Sequence, residues 1–126
     1  QSILVYTYPY SDTAQFLPEN LISARNNITR KYVHGPLTGS WMTTETLIPP
    51  VFSEFMDGNR YYAKLQGLWK LEGRGAMGGS FVSLSTVDPN RSRVVTVEGF
   101  VFAPGEDKRE LLRQVEAIIY TLKIQS

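Results

Sequence analysis

The chain has 126 residues, 42% of them hydrophobic and 20% charged, with a formal net charge of +1. This composition belongs to one globular domain rather than a disordered segment, and a chain of this length buries roughly two-thirds of its unfolded surface without a metal or disulfide staple. The charge balance provides no basic face for nucleic acid, and the complete lack of cysteine removes disulfides, thiolate metal sites and cysteine nucleophiles together.

Ile3 to Tyr8 is a short apolar and aromatic run and reads as a buried strand. It stands at the very start of the chain, where a basic n-region followed by an apolar h-region would mark a signal peptide. Such an abrupt start is expected of a processed chain or a fragment. No apolar run approaches the ~18–20 residues of a membrane-spanning helix. Asp12 and Gln15 have capping-box spacing and predict a short helical turn. Pro18 suits a first helical turn, and Leu21, Ala24, Ile28 and Tyr32 follow at helical spacing, which predicts a helix from about Pro18 to Val33. Arg30, Lys31 and His34 gather at its C-terminal end, where cations suit the helix dipole.

After the turn residues Gly35, Pro36 and Gly39, a strand is expected around Ser40 to Leu47, ending at Pro49-Pro50. Val51 to Met56 is extended again, and Asp57-Gly58 is a hairpin signal. Tyr61, Ala63, Leu65, Gly67, Trp69 and Leu71 then alternate with Arg60, Tyr62, Lys64, Gln66, Lys70 and Glu72, so this strand buries one face and leaves a semi-polar one. Glycines 73, 75, 78 and 79 match no nucleotide-binding fingerprint and read as a bulge or tight strand connection. Phe81 to Val87 and Arg93 to Ala103, joined by a turn at Asp88-Pro89-Asn90-Arg91, are apolar on nearly both faces and belong in the middle of the sheet. Leu111, Leu112, Val115, Ile118, Ile119 and Leu122 form the apolar stripe of a final amphipathic helix.

The order strand, helix, four strands, helix predicts one α+β domain over residues 1–126. Its core would be an antiparallel sheet of about five strands, with both helices packed on one face. One-sided cover leaves Tyr62, Lys64 and Gln66 as a contact surface for a homo-oligomer or a companion domain.

The motifs Gly67-Leu68-Trp69, Met77-Gly78-Gly79-Ser80-Phe81-Val82-Ser83 and Glu98-Gly99-Phe100-Val101-Phe102-Ala103-Pro104 stand in a distinctive order. So do Tyr6-Thr7-Tyr8-Pro9-Tyr10 and Gly39-Ser40-Trp41-Met42-Thr43. Together they resemble an uncharacterised domain-of-unknown-function family of Bacteroidetes lipoproteins. The resemblance implies that the chain is the C-terminal part of a longer parent protein, that it works in the cell envelope through a lipid anchor outside this segment, and that no catalytic residue can be carried over. Gln66 and Ser80 depart from the family pattern, which has Arg and Pro there. In element order alone the chain is also similar to small sandwich domains such as PsbP of the oxygen-evolving complex.

Three functional readings follow. The first is a non-enzymatic domain that packs against a protein partner. The second is a small-molecule or carbohydrate-binding module in which Trp41 and neighbouring tyrosines form a stacking platform, beside the basic end formed by Arg30 and His34. The third is a hydrolase using a pair among Glu45, Glu54, Glu72 and Glu98. That reading requires two facing acids. Glu98, in so apolar a strand, is expected to be buried and paired with an arginine. No cofactor or metal is implied, because a single histidine and no cysteine leave few ligands.

Overall fold

A computed structural model of the chain describes residues 2–32, 41–72, 78–101 and 108–121. Its strands are β1 (Ser2–Pro9), β2 (Trp41–Thr44), β3 (Val51–Asp57), β4 (Arg60–Glu72), β5 (Gly78–Asp88) and β6 (Arg93–Phe100). The helices are α1 (Pro18–Tyr32) and α2 (Lys108–Thr121), and a 3-10 turn spans Thr13–Phe16. All strand pairs are antiparallel, in the order β1-β6-β5-β4-β2, with β3 also paired to β4.

The chain is therefore α+β, with the predicted order of strands and helices. One edge is split: β3 pairs with β4 from Arg60 to Gln66, and β2 pairs with β4 from Trp69 to Glu72. Five sheet positions thus carry six strands, and Pro49-Pro50 lies where the edge changes hands. Of the strand expected over residues 40–47, Trp41–Thr44 forms β2 and residues 45–47 do not continue it, while Ser40 lies outside the described residues. The β3–β4 hairpin turns on Gly58-Asn59, one residue later than the predicted pair, because Asp57 is already matched to Arg60. Gly58 takes φ +62°, a conformation that glycine adopts without steric cost. The capping box forms as predicted: Asp12 Oδ1 accepts from the Ala14 amide at 2.9 Å, and Gln15 Oε1 accepts from the Asp12 amide at 3.2 Å.

The two helices do not share a face, which corrects the one-sided arrangement. Ile22 of α1 packs beside Met42, Leu65, Trp69, Phe81 and Phe100. Leu111, Val115 and Ile119 of α2 pack on Tyr62, Val82, Leu84 and Val97, which point the other way along the same strands. The central strands β5 and β6 are apolar on both sides, so each side needs its own cover. That same apolar character placed them correctly in the middle of the sheet.

Tyr62 is accordingly no exposed contact residue. It is only 5% exposed, stacked on Phe55 at 5.2 Å and met edge-on by Tyr120 of α2 at 5.4 Å. The cover that was expected from a partner comes, at this point, from the chain's own last helix.

Candidate functional site

The most distinctive concavity lies on the α1 face, at the end of the sheet where the β3–β4 and β5–β6 hairpins turn. Alternation along β4 points Tyr61 to this face, and the Asp12 cap fixes the 3-10 turn whose last residue, Phe16, lies against it. The two rings meet edge-to-face at 5.3 Å and 79°, and Tyr10 adds a third ring at 6.2 Å and 48° from Phe16. Phe52 and Glu54 of β3 close the opposite wall. Together these residues line a cleft of about 450 Å³.

The wall has one charged group among its described residues, the exposed Glu54 carboxylate. The Tyr61 hydroxyl donates to Glu54 Oε2 at 2.7 Å. Burial and the neighbouring carboxylate push the Tyr61 phenol well above its ordinary pKa, so it stays a neutral donor. A second hollow of about 470 Å³ shares Tyr61 and Val87 and includes Asp57, Asn59 and Arg60. Arg60 belongs to this second hollow, where Nη1 donates to the Val87 carbonyl at 3.0 Å.

Beneath α1 lies a buried polar cluster. Arg25 Nε donates to Glu98 Oε1 at 2.7 Å, with the two side chains 1% and 0% exposed. Arg25 Nη1 donates to Thr44 Oγ1 at 2.9 Å, Nη2 approaches Met42 Sδ at 3.3 Å, and the guanidinium sits 3.9 Å from the centre of the Phe81 ring. Asn26 Oδ1 accepts from the Thr44 hydroxyl at 2.7 Å, and the Thr29 hydroxyl donates to the Met42 carbonyl at 2.9 Å. Glu98 is thus buried and paired with an arginine, as expected. Its Oε2 has no hydrogen-bond partner among the described residues. Desolvation raises the Glu98 pKa, and Arg25 offsets part of that rise. The group ties α1 to both β2 and β6. Its acid faces a cation rather than a second acid.

The other described acids are held separately. Glu45 lies 3.7 Å from Lys70 and accepts from the Thr46 and Leu47 amides at 3.0 Å each. Those amides, Leu47 first, and Lys70 lower its pKa. Glu54 is bound to Tyr61, and the Glu72 side chain lies outside the described residues. Among the described residues no group of three or more His, Asp or Glu could hold a metal ion.

The remaining predicted residues are scattered. Lys64 and Gln66 are half-buried on the α2 face. Gln66 and Ser80 line one groove of about 360 Å³ with Leu68, Val82 and Leu111. Trp41 and Arg30 do come together, at the other end of β4 from Tyr62. The Arg30 guanidinium lies 4.6 Å from the centre of the half-buried Trp41 ring, so one ring face is occupied. His34 lies outside the described residues.

Sequence reasoning missed Arg25 and the cleft. On α1 the buried positions are Leu21, Arg25 and Thr29, not the expected line through Ala24 and Ile28. The burial of Glu98 was itself the signal that one arginine had to be buried with it. For the cleft, the signal was the capping box, which sets Phe16 at the end of a fixed turn.

The fold and its sites define a small α+β domain in which one antiparallel sheet is covered by a helix on each face. It has an aromatic cleft at one end and a buried ion pair under the first helix. The family described as Domain of unknown function (DUF4837) matches residues 1–121, and the chain belongs to that family. No curated protein and no solved structure shows a significant match to the chain.

Proposed function

We propose that this chain is a non-enzymatic binding domain of the cell envelope, and that its working surface is the cleft around Tyr61. One observation carries this reading: Tyr10, Phe16, Phe52 and Tyr61 meet around a hollow whose volume suits a small ligand, with a single acidic side chain, Glu54, in its described lining. The described carboxylates support it, because Glu45 faces Lys70, Glu54 the Tyr61 hydroxyl and Glu98 Arg25. The resemblance to envelope lipoproteins supports the location.

The test is an NMR titration of the labelled domain with neutral aromatic, saccharide and amine fragments. Shifts confined to Tyr10, Phe16, Phe52 and Tyr61, and lost in Tyr61→Ala, are the expected result. No response from any fragment class, or shifts centred elsewhere, would refute the reading.

A second reading keeps the protein partner, and its occupant is a second copy of this chain. Leu47 is 88% exposed, Ile48 61% and Val51 65%. Ile48 and Val51 themselves line the groove of Gln66, Leu68, Val82 and Leu111, on the part of the α2 face where contact was expected, and Leu47 precedes Ile48 in the chain. An exposed, largely apolar patch of this kind can meet its own copy across a two-fold axis, as a symmetric dimer requires. Light scattering at micromolar concentrations is then expected to give a dimer that Leu47→Asp converts to a monomer. A wild-type monomer at these concentrations would sink it.

A further inference from the structure

The nature of the cleft wall points to one class of ligand, and we infer that the cleft takes a small organic ammonium group. This rests on the reading of the cleft as a ligand site and adds the charge and shape of what enters it.

The first argument is electrostatic. Among the described residues that line the cleft there is no lysine, arginine or histidine, and Glu54 is the single acidic side chain. The hydrogen bond from Tyr61 holds Glu54 through Oε2. Oε1 has no partner among the described residues and is left to accept from a ligand. An anion would meet an unbalanced carboxylate, a neutral ligand would leave that charge unused, and a cation would be paired.

The second argument is geometric. Tyr10, Phe16 and Tyr61 are not coplanar; successive rings are tilted by 48° and 79°. A sugar ring needs a broad flat aromatic face to stack on. Rings at steep angles instead close around a compact group, and their electron-rich faces attract a cation, above all a weakly hydrated alkylammonium. Phe52 adds an apolar wall for the alkyl part. The carboxylate and the rings therefore favour the same guest, a tetrahedral ammonium with methyl or methylene substituents.

The experiment titrates the domain with choline, its neutral isostere 3,3-dimethylbutan-1-ol and methyl glucoside, following aromatic shifts by NMR and heat by calorimetry. Choline is expected to bind roughly tenfold more tightly than the isostere. That preference should disappear in Glu54→Gln and weaken as salt is raised to 0.5 M, on the order of a 4 Å screening length. Glu54 is exposed, so the variant is expected to fold, and thermal melting checks this. If the isostere or the glucoside binds as well as choline, the ammonium inference falls while the cleft stands as a ligand site. If Glu54→Gln keeps the full preference, the inference also falls. If choline fails and neutral fragments still shift Tyr61, only the charge assignment is lost. If no probe of any class binds, both are lost.

Discussion

Replacing Arg25 with Ala is expected to cost about 3–5 kcal/mol of folding stability, because it strands the Glu98 carboxylate in a site closed to water. That is a large share of the roughly 5–15 kcal/mol that holds a domain of this kind together. Denaturant titration followed by tryptophan fluorescence would measure it, since Trp69 lies in the cluster beneath α1. The double variant Arg25→Met, Glu98→Leu is expected to recover most of the loss, because removing both charges also removes their desolvation. The pair also predicts a pH response. The folded pKa of Glu98 is raised by burial, so above the unfolded value the native state holds more proton than the unfolded chain. Stability from this group is therefore complete below pH ~4.5 and declines as pH rises through the folded pKa. Glu98→Gln removes the titration. The stability of the wild type relative to this variant should fall as pH rises above about 4.5, and a difference that stays flat or rises there would contradict the pKa direction.

Gly79→Ala is expected to be nearly as damaging, at about 3 kcal/mol, the upper end of what overpacking a well-filled core costs. A Cβ at this position would run into the Val101 carbonyl and would stand 2.9 Å from Trp69 Nε1. The same carbonyl accepts the Trp69 indole N–H at 2.8 Å, so the methyl group cannot be admitted without breaking that bond. Thermal melting tests this against Gly58→Ala. Gly58 has open space around it but a positive φ, so its substitution costs only backbone strain, of order 1 kcal/mol. A Gly79 variant that melts with the wild type would show that the chain around Val101 can step aside.

The elements were legible because their periods are clean. Alternation along Arg60 to Glu72 and the stripe Leu111, Val115, Ile119 are local properties, and the structure forms both as read. Of the glycines expected in a bulge or tight connection, 73 and 75 lie outside the described residues, while Gly78 and Gly79 are paired with Lys70 and Trp69 within β5. What a period cannot say is which helix meets which face. Tyr62, Lys64 and Gln66 looked like a free semi-polar surface because lysine and glutamine are polar, yet Tyr62 lies beneath Tyr120. The stronger signal was the two-sided apolar character of β5 and β6, which calls for two layers of cover. Arg25 was missed because an arginine in a helix is normally read as solvated, and its burial depends on an acid 73 residues away. The cleft joins residues 10, 16, 52 and 61 from four separate segments, so no sequence window contains it.

The pairing of β1 with β6 has a consequence for the order in which the chain can assemble. Strands β3 to β6 form a meander whose neighbours are joined by short connections, so they can find each other early. The N-terminal segment cannot: Ser2 pairs with Phe100, and Arg25 with Glu98. During synthesis β1 emerges well before β6, the strand it pairs with, and Arg25 of α1 likewise precedes Glu98. Leu4 packs on Phe81 and Phe100, and Tyr8 and Leu21 on Val94, so these side chains reach their native core only after β5 and β6 exist. The buried ion pair can close only after β6 has been made, and it then latches α1 to a strand that lies 73 residues further along the chain.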